Sequence, residues 1–149
     1  MPRQTRVERR STAAPRHTSF RFSASTAERL EARARELGIS RTKLAERYID
    51  EGLRTDRHPA IVFRDGAAGR RAALAGTRLD VWQVIDTVRN EGGSVAAAAR
   101  LLGQPEARVA AAVRYYAEFK GEVDAFAAAA RAAAAEAEAA WQREREALA

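Results

Sequence analysis

Phe20 and Phe22 stand either side of a single Arg and run straight into helix signals, and that order limits what the chain can become. In an extended Thr18–Ser23 segment both rings fall on one face, with Ser19, Arg21 and Ser23 on the other. Ser25-Thr26-Ala27-Glu28 has the form of a capping box, and Leu30, Ala34 and Leu37 recur at the spacing of one helical face. Gly38 suits the left-handed position that ends a helix. Ser40 then predicts the N-cap of a second helix whose buried face carries Leu44, Tyr48, Ile49 and Leu53. A lone strand leaves its backbone donors and acceptors unpaired, and one strand with two short helices cannot enclose a sufficient core. A second copy of the chain resolves both problems by pairing strand with strand, so a symmetric homodimer is expected.

This order of strand, helix, Gly turn and capped helix over residues 18–54 resembles the ribbon-helix-helix family of DNA-binding proteins, of the CopG/Arc/MetJ type. The residues that carry the resemblance are Phe20-Arg21-Phe22, Leu30, the Leu37-Gly38-Ile39-Ser40 junction and the Leu44, Ile49, Leu53 spacing. A two-stranded ribbon fits the major groove of duplex DNA, and its outward face would present two copies each of Ser19, Arg21 and Ser23. Arg21, central on that face, is placed for bidentate contact with guanine; the alternative is a solvated strand residue. The resemblance further implies that Ser40, Arg41 and Thr42 hold a DNA phosphate at the start of the second helix, a role compatible with ordinary N-capping.

Charge agrees with such a partner. The net charge is +6 in 149 residues, distributed as +4 over 1–17, +2 over 18–54, +3 over 55–121 and −3 over 122–149. A basic body with an acidic tail favours nucleic acid at one end and something else at the other. Lys43 and Lys120 are the only lysines among 26 basic residues, which suits bidentate phosphate or guanine contacts or, equally, reflects a GC-rich coding bias. Residues 1–17, with Arg3, Arg6, Arg9, Arg10 and Arg16 and no periodicity, read as a flexible basic arm that either tracks phosphates or contacts nothing specific.

The same inventory excludes several chemistries. There is no Cys, and His17 and His58 form no zinc-binding spacing, so no metal or cofactor is expected. Asp65-Gly66-Ala67-Ala68-Gly69-Arg70-Arg71 lacks the ending of a phosphate-binding loop, and no carboxylate pair suggests acid–base work, so no enzyme is expected. Met-Pro-Arg-Gln-Thr-Arg has no apolar run after it, which predicts no secretory signal, no membrane partner and a cytoplasmic location.

Thr55-Asp56-Arg57-His58-Pro59-Ala60 reads as a short linker. Beyond it Ile61–Arg64 predicts a strand, Asp65-Gly66 a turn, Arg70–Leu74 a returning strand, and Gly76-Thr77-Arg78 a turn into a helix with Val81, Trp82, Val84, Ile85 and Val88. Gly92-Gly93 ends that helix and Ser94 caps the next, in which Val95, Ala98, Leu101 and Leu102 form the apolar face. Gly103 supplies a turn and Pro105 the first helical position of a helix carrying Val109, Val113, Tyr116 and Phe119, so 94–119 reads as a helix-turn-helix. The segment from Ile61 to about Asp124 is similar to a small winged helix-turn-helix family of antitoxins paired with PIN-type ribonucleases. It is carried by Ile61–Gly66, Ala75-Gly76-Thr77-Arg78 with Val81-Trp82, and Ala112-Val113-Arg114-Tyr115-Tyr116. In such a unit Gln104, Glu106, Arg108 and Arg114 lie on or near the recognition helix, with Arg108 the foremost DNA contact; a purely structural three-helix unit is the alternative.

Residues 122–149 are Ala-rich without Gly or Pro and predict a long helix. Val123, Phe126, Trp141 and Leu148 fall in a stripe roughly 60° wide. Phe126, Trp141 and Leu148 are therefore candidate partner-binding residues, whether for a dimer mate or another protein, with packing on the chain's own core as the alternative. The expected architecture is mainly α: a basic arm (1–17), a ribbon-helix-helix domain (18–54), a helix-turn-helix unit with a short hairpin (61–121) and a C-terminal helix (122–149). The expected function is a homodimeric, operator-binding transcriptional regulator, and the second resemblance implies an autorepressing antitoxin with a PIN-type ribonuclease partner. A stand-alone repressor or plasmid copy-control or partition factor, and an adaptor assembling through the long helix, are the alternatives.

Overall fold

The structure, a computed structural model, describes residues 16–148. The expected basic arm therefore lies outside the described residues except for Arg16 and His17, which are exposed and without regular structure. The chain divides into two compact units, the first ending at Leu44 and the second beginning at Ala45.

In the first unit, residues 16–23 form no strand, contrary to the Thr18–Ser23 expectation. The physical reason is that a strand needs a ladder partner, and the only sheet among the described residues lies elsewhere. Helix α1 (Ala24–Leu37) begins with its N-cap two residues before Ser25, the cap that the sequence predicts. Its N-cap is Ser23, whose Oγ accepts from the Thr26 amide at 3.3 Å, because a hydroxyl placed there reaches the first free amides. Gly38 closes α1 in the left-handed region at φ 64°. Helix α2 (Arg41–Arg57) starts where expected, with Ser40 Oγ accepting from Lys43 N at 3.1 Å. Ala34 and Leu44 are buried. The rest of the predicted α2 face is not: Tyr48, Ile49 and Leu53 are exposed, since a single chain supplies nothing to cover them.

The predicted linker is also corrected. Helix α2 runs through Thr55-Asp56-Arg57, and only His58-Pro59-Ala60 form a turn, so the division between the units falls inside a helix. Pro59 stops the helix only at the residues just before it.

The second unit is built on the hairpin β1 (Ile61–Arg64) and β2 (Arg71–Leu74), antiparallel in the register Ile61–Leu74, Val62–Ala73, Phe63–Ala72 and Arg64–Arg71. Helices α3 (Val81–Asn90), α4 (Val95–Leu102) and α5 (Glu106–Ala147) pack with it around Ile61, Leu74, Val84, Ile85, Ala98, Val109 and Tyr115. Gln83 Oε1 accepts from the Asp80 amide at 2.9 Å at the start of α3, and Ser94 Oγ caps α4 through Ala97 N at 3.1 Å. Of the expected α4 face, Ala98 is buried and Val95 and Leu102 pack against the core, whereas Leu101 is 68% exposed and Ala99 is buried instead. Pro105 is the N-cap of α5 rather than its first helical residue.

The boundary expected at 121/122 lies two residues beyond a kink. The recognition-helix candidate and the Ala-rich tail are two helical segments of α5 that meet at Phe119, where φ −115° and ψ 33° are non-helical.

Candidate nucleic-acid interface

Residues 16–44 carry seven basic side chains against three acidic ones, a net +4. Ser19 and Arg21 are exposed on the irregular segment ahead of α1. Phe20 and Phe22 lie beside each other at 6.5 Å between ring centroids and remain 62% and 48% exposed. Ser23, expected on an outward face, is instead committed to capping α1.

The start of α2 is a second electropositive place. Its first turn holds no acidic residue, and Arg41, Thr42 and Lys43 are exposed around the free amides of a helix N-terminus. Ser40 serves as its N-cap, and Arg41 is ion-paired with Glu31 of α1. Lys43 is not singled out by the sequence reading. Its signal is a cation in the first turn, where the helix dipole by itself disfavours one.

Arg108 stands one turn from this type of end in α5. It is exposed, its Nη1 is 3.5 Å from Gln104 Oε1, and its guanidinium lies against the turn at Gly76, which adopts φ 71°. Glu106 and Arg114 are exposed on the same helix and Gln104 is half-buried just before it. Among the described residues, no side-chain hydrogen bond or ion pair joins Glu106 or Arg114 to the Arg108–Gln104 pair.

In the second unit the strongest polar cluster is structural. Arg54 donates to the Tyr115 hydroxyl at 3.1 Å and to Glu122 at 2.8 Å, with its guanidinium 4.3 Å from the Phe119 ring centroid. Desolvation alone would lower the Arg54 pKa, but the bonds to Glu122 and Tyr115 more than offset it and hold the group above its usual value. Burial pushes the Tyr115 phenol up, against the opposing bond from Arg54. His58 Nε2 meets Glu118 at 3.0 Å, so α2 and the turn after it grip α5 on both sides of its interruption. Sequence reasoning missed this cluster because Arg54 and Tyr115 are 61 positions apart.

Phe126 of the expected partner-binding stripe lines a cleft of about 270 Å³ with Arg70, Arg71, Trp82, Glu122 and Val123, and is half-buried there. The charged groups around it are committed: Arg70 to Glu51 and Asp65, Arg71 to Asp80, Glu122 to Arg54. Trp141 and Leu148, in contrast, are 55% and 90% exposed.

Among the described residues no three His, Cys, Asp or Glu side chains gather as a metal site, and no helix is long and apolar enough to cross a membrane. No family model, no curated protein and no solved structure matches the chain.

Proposed function

We propose that the chain is a homodimeric transcriptional regulator that binds duplex DNA through paired 18–23 segments and the start of α2. The observation that carries this reading is the exposed Phe20–Phe22 pair on a segment that has no ladder partner among the described residues, next to seven basic residues. Two such segments pairing antiparallel would cover the phenylalanines on one face and turn Ser19 and Arg21 outward to the major groove. Tyr48, Ile49 and Leu53 of α2 are further apolar surface that a second copy would cover. The exposed first turn of α2, with Ser40, Arg41, Thr42 and Lys43, suits a phosphate held by backbone amides. Base reading falls to Arg21, and Ser23 leaves the set of base contacts because its hydroxyl caps α1.

Arg108 adds a second cationic contact on α5, where Glu106 beside it disfavours direct base reading.

Binding to duplex DNA, measured against competitor DNA and over a range of salt, tests the proposal. Affinity should fall steeply with salt, and Arg21→Ala should cost about 1–3 kcal/mol on the preferred sequence while changing nonspecific binding little. An Arg21→Ala chain with unaltered affinity and preference would remove the ribbon from the interface. Salt-insensitive or absent DNA binding would leave the adaptor reading in its place.

A further inference from the structure

Helix α5 leaves the body of the second unit after Arg131, which pairs with Asp86 and lies over the Trp82 ring. From Ala132 to Leu148 every residue is exposed except the small Ala139 and Ala140. At about 100° per residue, Ala133, Ala134, Ala137, Ala140, Trp141 and Leu148 share an arc of roughly 120° on which Glu144 is the only charge. Trp141 and Leu148, exposed together on this arc of small residues, form an apolar surface that a partner can cover.

The charges at the two edges of the arc identify the cover. One edge carries Glu138 and Arg145, and the other Glu136 and Arg143, each pair seven residues apart in the order acid then base. None of Glu136, Glu138 and Arg143 forms an ion pair within the chain among the described residues, and Arg145 lies over the Trp141 ring at 4.8 Å. When two copies of a helix pack antiparallel, each edge meets its own counterpart. Glu138 then faces Arg145 of the second copy and Glu136 faces Arg143, and symmetry repeats both pairs. The first match centres the two-fold axis just after Trp141 and the second just before Ala140, about 3 Å apart along the helix. An axis midway, at Ala140-Trp141, leaves both pairs within reach of their long side chains, and there the two indoles cover each other and the alanines permit close approach. In a parallel pair each edge would meet the other edge, setting Glu138 against Glu136 and Arg145 against Arg143.

We propose that the projecting half of α5 is a self-association arm that pairs antiparallel with the same arm of a second copy, about a two-fold axis at Ala140-Trp141. The surface charges select the orientation, and the apolar arc supplies the contact. This assignment is independent of the DNA-binding reading, because the arm shares no residue with that interface.

Single-cysteine variants of the full chain test it, since the natural sequence has no Cys. Antiparallel pairing brings the two copies of residue 140 together but separates the two copies of residue 133 by about 22 Å along the helix. Under mild oxidation, Ala140→Cys should give the covalent two-chain species and Ala133→Cys should not. Adding Glu138→Arg to Ala140→Cys should lower linking about tenfold, and adding Arg145→Glu as well should restore it. Equal linking at 133 and 140 would establish parallel or random contact and overturn the proposal. So would a failure to link at 140, or linking indifferent to Glu138→Arg, as expected of an arm that serves a different protein.

Discussion

Tyr115 is the largest fully buried side chain, and it carries a hydroxyl into the core that only Arg54 and its neighbours satisfy. Burial raises the folded phenol above its ordinary value, so the folded state holds the proton longer than the unfolded chain does. The stability linked to it is complete below the unfolded value of about 10 and is lost as pH rises through the folded value. An ultraviolet absorbance titration should therefore show one tyrosine ionising later than the free amino acid, and Tyr115→Phe should remove that late step. Arg54→Ala tests the other side of the pair. It leaves the Tyr115 hydroxyl without its donor and removes the cation stacked on Phe119, and should cost about 1–3 kcal/mol by urea unfolding. The exposed Glu122 can rehydrate, which keeps the cost toward the lower end. A cost near zero would mean that Arg54 is not what fastens α2 to α5.

At the scale of elements, the hairpin and the three helices after it separate contacts that look alike in sequence. Leu74 and Leu101 are both apolar residues in predicted elements, yet Leu74 is fully buried against Ile61 across the hairpin and Leu101 faces solvent. Leu74→Ala should cost about 2–5 kcal/mol and Leu101→Ala no more than about 0.5 kcal/mol, compared by denaturant midpoints. Gly103, in the left-handed region at φ 63°, should respond to Gly103→Ala with a loss of about 1–2 kcal/mol from backbone conformation alone, because open space surrounds its α-carbon. What was legible in the sequence was local. Gly76, Gly92-Gly93, Ser94 and Gly103 each act on their own turn or cap and fall where they were placed, whereas the hairpin turns at Ala67-Ala68, one residue past Asp65-Gly66, with Gly69 in the positive-φ region. Burial is not local in that sense. The burial of Ala99 rather than Leu101 on α4, and the Arg54–Tyr115 contact, depend on partners far along the chain. The division drawn at 121/122 followed a change in composition; the chain kinks two residues earlier, at Phe119, and the Ala-rich sequence after it continues as helix. The 18–23 segment is the opposite case. Its alternation is plain, but the ladder that would make it a strand is not present in one chain.

For the whole molecule, two kinds of self-contact are proposed, one at the 18–23 segment and one at the far end of α5, and they separate experimentally. Phe20 and Phe22 are about half exposed. Covering four such rings in a dimer would contribute about 4–6 kcal/mol. That corresponds to roughly 10³–10⁴ in the dissociation constant. Sedimentation equilibrium of the Glu138→Arg chain, in which the arms repel, should still show a two-chain species that dissociates only on dilution. Adding Phe20→Ser and Phe22→Ser should leave single chains at concentrations where the Glu138→Arg parent is paired. Both phenylalanines lie on the surface of one chain, so circular dichroism should report unchanged helix content in that variant. DNA affinity should fall with the Phe substitutions, because a single 18–23 segment cannot form a two-stranded ribbon, and should persist in the Glu138→Arg chain. If the Glu138→Arg chain is already single and binds its preferred sequence undiminished, the segment acts on DNA without pairing and the dimer must be given up. If it is single and does not bind, then assembly through α5, rather than through Phe20 and Phe22, is what DNA binding requires.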